Sequence, residues 1–537
     1  MQINAAPYSY DEEYKSFRWK LPRTFNFGRD VVDRWASTAD KEALVCVNED
    51  GQVKRYRFSD ISKLSSQVAN MLARLGVKRG DRVLVMLPRW VEWQISIVAC
   101  MKIGAIPIPS VTLLTAKDVR YRANHSEAVC AITTIQNTAK FEDLPSLSVR
   151  IVVNAQASGW VSFDEALTES ESFDCADLDI EEPALLYYTS GSTGNPKGVM
   201  HAARGVLTWP VAVSYWMGLR PQDTMWSTAD TGWGKAATGV LLGPWQAGAC
   251  VLFYDGGFDP RRRLELIVEH GVTVFCATAT EFRHFVQIPA GEIHTGRLRL
   301  AASGGESVNP EVSKQWTDLT KVPLLEAYGQ TESLMTIINS AGLKLKPGSM
   351  GKSAPGTHSA VITSELKLAK PGEIGQIVMK LPVPQMMLGY YKDPAKTAES
   401  TVEIDGQKYW QSGDLGYQDE EGYFFYSGRG DDIIGSAGYR IGPTEVENAL
   451  IEHPAVLECA AVGSPDAERG EIVKAFVVLR AGFEPSDRLI TELQDHTKRT
   501  TAPYKYPRKI EFANELPKNA AGKIMRRVLR DQEYGRV

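Results

Sequence analysis

At 537 residues, 43% of them hydrophobic, the chain can bury a large core and should divide into more than one domain. A formal net charge of -5 and a pI near 6.0 exclude the net basic balance of a nucleic-acid-binding protein. Seven scattered cysteines without a CxxC pair and eight dispersed histidines without an HExxH exclude a redox pair and a protein-held catalytic zinc, leaving buried, reduced thiols.

In chain order, the opening Met1-Gln-Ile-Asn-Ala-Ala-Pro is followed by Asp11-Glu12-Glu13. It has neither the basic start and apolar run of a secretory signal nor the acid-poor character of a mitochondrial transit peptide. No run approaches the ~18 uncharged apolar residues of a spanning helix, so no transmembrane segment and a cytoplasmic location are expected. Ser59-Asp60 is expected to cap a helix whose apolar face is Ile61, Leu64, Val68, Met71 and Leu75, closed by Gly76. The run Val83-Leu84-Val85-Met86-Leu87 reads as a buried strand ended by Pro88, followed by a helix over 92–102, Gly104 and the short run Ile106-Pro107-Ile108.

Further apolar runs at 151–153, 184–188, 250–254, 272–277 and 298–302 alternate with helical segments, which predicts parallel sheets covered by helices. From about 345 to 427, Gly and Pro are frequent and strands such as 375–381 and 423–426 lie close together, which predicts a β-rich subdomain. Gly351-Lys352-Ser353 reads as a turn, because Lys346 stands where a Walker loop needs its first glycine. Gly428-Arg429-Gly430-Asp431-Asp432 reads as a hinge. Beyond it, a helix from Thr444, strands at 456–462 and 473–479, a helix at 487–499 and a strand at 510–512 make a compact α+β unit. The expected architecture is α/β: a large domain over 1–427, a hinge at 428–432 and a small C-terminal domain over 433–537.

The most informative string is Tyr187-Tyr188-Thr189-Ser190-Gly191-Ser192-Thr193-Gly194-Asn195-Pro196-Lys197-Gly198. Its glycines free backbone N–H groups to point at one centre, its hydroxyls add donors, and Lys197 adds charge, as a polyphosphate requires. A Gly/Ser-rich stretch is more often a surface linker. The embedded Asn-Pro-Lys-Gly and the preceding apolar strand tip the balance towards a phosphate loop.

This loop resembles the phosphate-loop motif of the adenylate-forming superfamily, which includes acyl-CoA synthetases, peptide-synthetase adenylation domains and firefly luciferase. Four more strings resemble its motifs in the same order: Tyr328-Gly329-Gln330-Thr331-Glu332, Ser412-Gly413-Asp414-Leu415-Gly416, Gly428-Arg429-Gly430-Asp431-Asp432 through Gly438-Tyr439-Arg440-Ile441, and Pro517-Lys518 with Gly522-Lys523. The resemblance implies an ATP site made of Thr189, Ser190, Gly191, Ser192, Thr193, Gly194, Lys197, Gly305, Glu306, Glu326, Ala327, Tyr328, Gly329, Gln330, Thr331, Asp414, Arg429, Arg440 and Lys523. Within it Glu332 is the expected Mg²⁺ ligand, since Mg²⁺ usually takes one or two carboxylates plus substrate phosphates. Asp414 offers two acceptors for the ribose hydroxyls, and the planar fork of Arg429 suits ribose or phosphate. Thr189, Lys197, Glu332 and Lys523 are the expected catalytic set, with the Lys523 ammonium meeting charge on the α-phosphate. Asp431 is implied as the residue about which the small domain rotates.

Longer strings resemble the medium-chain acyl-CoA synthetase (butyrate–CoA ligase) group: Ser227-Thr228-Ala229-Asp230-Thr231-Gly232-Trp233, Lys346-Pro347-Gly348-Ser349-Met350-Gly351-Lys352, Gly438-Tyr439-Arg440-Ile441-Gly442-Pro443, and Thr501-Ala502-Pro503-Tyr504-Lys505-Tyr506-Pro507-Arg508-Lys509. That resemblance spans nearly the whole chain and implies a small-molecule carboxylic acid, ATP and coenzyme A as substrates. Ala437, Gly438 and Tyr439 would approach the pantetheine arm of coenzyme A, and Arg469, Lys498, Tyr506, Pro507 and Arg508 its nucleotide. Lys498, Arg499, Lys505, Arg508 and Lys509 form a basic cluster suited to phosphates, the plainer reading being a solvated helix end.

Trp233 and Gly304 are the expected acyl-pocket residues, although Trp233 reads nearly as well as an ordinary core tryptophan. Ser303-Gly304-Gly305-Glu306-Ser307 departs from the common Ser-Ala-Gly-Glu-Pro at Gly304 and Ser307, which leaves the shape of that wall open. Compared with acetyl-CoA synthetases the chain is shorter at its N-terminus, which counts against acetate. Two rivals stand beside the reading: an aryl-acid ligase or an adenylating enzyme serving a carrier protein, and a non-catalytic nucleotide- or acyl-CoA-binding regulator. A homo-oligomer is compatible with the sequence.

Overall fold

A computed structural model of the chain describes residues 9–189, 196–436, 439–466, 468–518 and 523–536, with Arg440 described by its backbone alone. Its N-terminal domain is built on three sheets. The first is wholly parallel, in the order Ile106–Pro109, Arg82–Met86, Cys130–Thr134, Val149–Val153, Val161–Ser162. Such a sheet must be covered on both faces. Helix Val91–Ile103 does this on one side and is buried along nearly its whole length, and Gly104 ends it at φ +81.

The second sheet has fourteen strands. Its middle is parallel, with Glu42–Val47, Cys250–Tyr254, Thr224–Ser227, Val274–Ala277, Leu300–Gly304 and Leu324–Gln330 side by side. From Leu324–Gln330 it continues antiparallel through Leu334–Ile338, Ser349–Ser353, Phe424–Arg429, Gln407–Gln418, Gly375–Lys380 and Ser359–Ile362. The β-rich region expected after residue 345 is therefore an extension of the same sheet. Gly351-Lys352-Ser353 is part of a strand and not the expected turn. Gly351, at φ +96, sits where a Cβ would fall 1.9 Å from the Ile338 carbonyl oxygen, so the close approach of a neighbouring strand demands the glycine.

The third sheet is a correction to the sequence reading of 184–188 as a parallel strand. Pro183–Thr189 pairs antiparallel with Lys197–Ala202, which pairs antiparallel with Gly389–Tyr390. A second correction concerns the helix near residue 60. It runs Phe58–Arg74 with Arg57 at its cap, and the Asp60 carboxylate accepts the Arg57 N–H at 2.7 Å from the third helical position. The N-terminal acids Asp11, Glu12 and Glu13 lie in the first turn of helix Tyr10–Ser16, docked by Tyr10 Oη–H donating to the Ser353 carbonyl at 2.7 Å. All seven cysteines are free; Cys46 and Cys175 are half-buried and the other five buried.

The small C-terminal domain has its own five-stranded sheet, ordered Tyr439–Ile441, Ile434–Ser436, Gly470–Leu479, Val456–Asp466, with Lys509–Phe512 parallel to Gly470–Leu479. Helices Pro443–Ile451 and Asp487–Thr500 cover it. Arg526, on helix Arg526–Glu533, donates to both oxygens of buried Glu447 at 2.7 and 2.5 Å. Glu447 Oε1 also accepts the Ala461 N–H at 2.9 Å. From the same helix, Arg530 donates to the Asp431 carbonyl, so the end of the chain is tied to the turn at 430–432. Among the described residues no helix is long and apolar enough to cross a membrane.

Candidate active site

The residues that flank the expected phosphate loop lie in two antiparallel strands, Pro183–Thr189 and Lys197–Ala202. Thr189 and Lys197 are paired across these strands, so the two flanks of the loop are held side by side. Residues Ser190, Gly191, Ser192, Thr193 and Gly194 lie outside the described residues. The base of the loop is braced by helix Ala116–Ser126, from which Tyr121 donates to the Pro196 carbonyl at 3.0 Å. Lys197 lies over the Tyr390 ring at 5.2 Å, and the Tyr390 hydroxyl donates to Glu332 Oε1 at 2.8 Å. Tyr390 thus joins the lysine of one motif to the carboxylate of another, and burial followed by the Glu332 charge raises its pKa. Beneath Thr331, His201 Nε2 donates to the Thr331 carbonyl at 2.8 Å, and burial drives the ring's pKa down to about 3, so it is neutral.

Tyr328, Gln330 and Asp414 form one joint. The Tyr328 hydroxyl and Gln330 Nε2 donate to Asp414 Oδ2 at 2.7 and 2.9 Å, and Gln330 also donates to the Ser412 carbonyl at 2.6 Å. Asp414 faces Arg429 across paired strands, with Oδ1 3.9 Å from the guanidinium. Gly329 is obligatory between them, because a Cβ there would sit 1.8 Å from the Leu334 carbonyl oxygen at a bulge. The result is a carboxylate held by two donors on one oxygen, leaving the other towards Arg429.

Lys523 reaches this same cleft from the small domain. A Cβ on Gly305, itself at φ +90, would lie 3.8 Å from its Nζ. The side chain stays accessible at the mouth of the cleft, yet crowding by protein atoms lowers its pKa. Glu306 and Asp414 oppose that shift, whereas Lys235 and Arg429 add to it. Glu306, Asp414, Arg429 and Lys523 are therefore brought together, with Lys235 as a further cation. Lys235 donates to the Ala277 carbonyl at 3.2 Å. Arg440 is on strand Tyr439–Ile441, and its side chain lies outside the described residues.

Glu326 is a different case from its motif neighbours. Its carboxyl is buried inside the sheet and accepts the Val308 N–H at 3.0 Å, with its pKa raised to about 8 by burial. In the unfolded chain the group titrates near 4.3, so the folded protein holds the proton in between. Stability therefore falls as pH rises from about 4.3 to 8. The Glu326→Gln variant should flatten that fall in melting temperatures measured across this range, while keeping an acceptor for Val308.

Gly304 faces Trp216, Ala327 and Met335: a Cβ there would lie 3.1 Å from the Trp216 ring, 3.2 Å from the Ala327 carbonyl oxygen and 3.4 Å from Met335 Cε. Trp233 is half-buried at the start of helix Gly234–Ala237, and its neighbour Gly234 faces Thr331 and Leu334. It adjoins the motif ending at Glu332, but the contacts around Gly304 come from Trp216 and Met335.

On the small domain, Lys498 and Arg508 lie over the Tyr506 ring at 4.4 and 4.9 Å, and Arg508 also donates to the Tyr506 hydroxyl at 3.0 Å. Pro507 is buried, and Lys505 is engaged by Glu445. Tyr439 and Tyr504 form an exposed stack with centroids 4.3 Å apart. Arg469 stands at a turn beside Gly470, which pairs with Ser436. Ala437 and Gly438 lie outside the described residues.

Of the residues that shape this site, Tyr390, Trp216, Met335 and Lys235 were not singled out by sequence reasoning. Tyr390 carries a usable signal, as a Gly-Tyr-Tyr string in a β-rich region. The other three are placed only by tertiary approach.

Two family models match the chain: "AMP-binding enzyme" over residues 31–391 and "AMP-binding enzyme C-terminal domain" over 445–523. Acyl-coenzyme A synthetase ACSM4, mitochondrial, of Mus musculus is 41% identical, covering 96% of this chain and 92% of the relative. Acyl-coenzyme A synthetase ACSM5, mitochondrial, of Homo sapiens is 39% identical, covering 97% and 92%. Among solved structures, an anthranilate CoA ligase, AuaEII, in complex with anthranoyl-AMP superposes with a TM-score of 0.87 at 30% identity, covering 96% of this chain and 98% of that one. An acyl-CoA synthetase of Brucella canis gives 0.77 at 32%, covering 98% and 99%.

Proposed function

The chain belongs to the AMP-binding enzyme family, and from that premise we propose that it is an ATP-dependent acid–CoA ligase whose acid is a medium-chain, or a short or branched, carboxylate. The observation that supports this most is the meeting of Lys523 with Gly305, Glu306, Asp414 and Arg429 in one cleft.

In the first step a carboxylate oxygen attacks the α-phosphorus of ATP, and the bond to pyrophosphate breaks. Asp414, set by Tyr328 and Gln330, holds the ribose hydroxyls, and Arg429 approaches the same sugar. Lys523 meets the charge that grows on the α-phosphoryl oxygens, and Lys197 meets that on the leaving pyrophosphate. Glu332, whose Oε1 accepts the Tyr390 hydroxyl, is the carboxylate that would hold Mg²⁺. Bound there, Mg²⁺ would neutralise phosphate charge.

In the second step the small domain, residues 433–537, turns about the hinge at 428–432 with Asp431 as its pivot. Lys523 withdraws, and the stretch Ala437-Gly438-Tyr439 takes its place beside the thiol of coenzyme A. The sulfur attacks the acyl carbon, the acyl–oxygen bond breaks and AMP leaves. Lys498, Tyr506 and Arg508 form the platform for the nucleotide of coenzyme A, with Arg469 on the neighbouring turn. The exclusion of water by this exchange protects the anhydride. A cytoplasmic location remains our reading, although the relatives' printed names place those proteins in mitochondria.

Gly304 is read as part of the wall met by the acid's tail. The Gly304→Ala variant pushes into Trp216 and Met335 and should lower kcat/KM for the longest accepted acid by about 10-fold relative to a short one. Steady-state kinetics over a homologous series of acids measure this.

The reading as a whole is tested by pyrophosphate release over straight-chain, branched and aromatic acids, with coenzyme A as sole acceptor and thioester analysed. No release with any acid would sink it, and release without thioester would point to a carrier-protein acceptor.

A further inference from the structure

The small domain meets the large one at both ends of a single segment, residues 305–309, between strand Leu300–Gly304 and helix Pro310–Thr320. At the first end Lys523 lies against Gly305 and is attracted by Glu306. At the other, Asn309 Nδ2 donates to the Asn448 backbone carbonyl at 3.2 Å and to its side-chain Oδ1 at 3.3 Å. Asn448 belongs to helix Pro443–Ile451, the first helix beyond the hinge.

The Asn309 amide is oriented without ambiguity. Its Oδ1 accepts the Glu311 N–H at 2.8 Å as the cap of helix Pro310–Thr320, so the nitrogen must face the small domain. Asn309 is only 3% exposed, and hydrogen bonds made away from water are sensitive to the loss of either partner. Between the two ends, the Val308 N–H is anchored on Glu326, which ties the segment to strand Leu324–Gln330.

We propose that Asn309 and Asn448 form the latch that seats the small domain in its adenylate-forming orientation, acting as a positioning pair for Lys523. The inference rests on the acid–CoA ligase reading and adds the element that selects between its two half-reactions. The latch joins two rigid pieces, a helix cap held by Glu326 and a helix of the small domain. Rotation about Asp431 that withdraws Lys523 must carry Asn448 away from Asn309. The two hydrogen bonds therefore favour the first half-reaction alone, and breaking them leaves the second untouched or faster.

The test uses Asn309→Asp, which keeps the cap acceptor for the Glu311 N–H but turns an acceptor towards the two oxygens of Asn448. A second variant, Asn448→Ala, removes one of those oxygens and improves helix propensity, so folding is retained. Two half-reactions are measured for each: pyrophosphate release from acid and ATP without coenzyme A, and thioester formation from supplied acyl-AMP and coenzyme A. The expected result for Asn309→Asp is a loss of about 10-fold in the first with the second unchanged or raised, and a smaller loss in the same direction for Asn448→Ala. An equal fall in both half-reactions, or no change in either, overturns the latch. Wild-type protein that releases no pyrophosphate with any acid overturns the ligase reading instead, so the two failures are distinct.

Discussion

Lys523→Ala should lose acyl-adenylate formation by about 10²–10³-fold, the order seen when one preplaced donor to a developing oxyanion is removed. Thioester formation from supplied acyl-AMP should stay within a few-fold of wild type. The asymmetry follows from the side chain's place. Lys523 enters the cleft from the small domain, beside Gly305 and among Glu306, Lys235, Asp414 and Arg429, and nothing else on that domain brings an ammonium to this spot among the described residues. Single-turnover pyrophosphate release and a thioester assay started from acyl-AMP measure the two halves. A variant that makes acyl-AMP at the wild-type rate, or loses both halves alike, removes Lys523 from the role assigned to it.

The second large effect is on stability. Arg526→Met leaves the Glu447 carboxylate buried with the Ala461 N–H but without its guanidinium. Breaking one partner of a buried ion pair costs about 3–5 kcal/mol, because the remaining charge has lost its compensation. The small domain should bear the whole loss, since both residues and the sheet they brace belong to it. Native-state hydrogen exchange at the amides of Val456–Asp466 should quicken, while exchange in the parallel sheet around Arg82–Met86 should not. Replacing both partners, Glu447→Leu with Arg526→Met, should recover most of the loss. Equal protection in both domains after Arg526→Met would show that the joint carries no such load.

Much of this architecture is legible from local pattern. The run 250–254 is a strand as read, and helix Val91–Ile103 with its Gly104 stop matches the expected segment within a residue at each end. These elements declare themselves because apolar content and chain-breaking residues are local properties. The antiparallel pairing of Pro183–Thr189 with Lys197–Ala202 is not legible in the same way, because direction of pairing is a property of two strands and an apolar run alone does not state it. Gly351 misled for the opposite reason: a glycine needed for the approach of a neighbouring strand looks, in sequence, like a glycine needed for a turn.

The site shows the same division. Motif strings singled out Asp414, Glu332 and Lys523, but not Tyr390, which bridges Lys197 and Glu332, nor Trp216 and Met335, which close on Gly304. The first three are marked by short strings of unusual composition. The others are ordinary aromatic and apolar residues whose part is set by where distant strands and helices come to rest.

The place of Lys523 among mixed charges has a bearing on how the small domain is held to the large one. The Lys523 ammonium lies at the mouth of the cleft between two carboxylates, Glu306 and Asp414, and two cations, Lys235 and Arg429. With both signs already present, the anion held in the cleft decides how firmly the ammonium is drawn in, and the draw is weaker for an adenylate than for a triphosphate. On the proposed two-step reading, departure of pyrophosphate would loosen the tie that this one side chain makes between the small domain and the cleft.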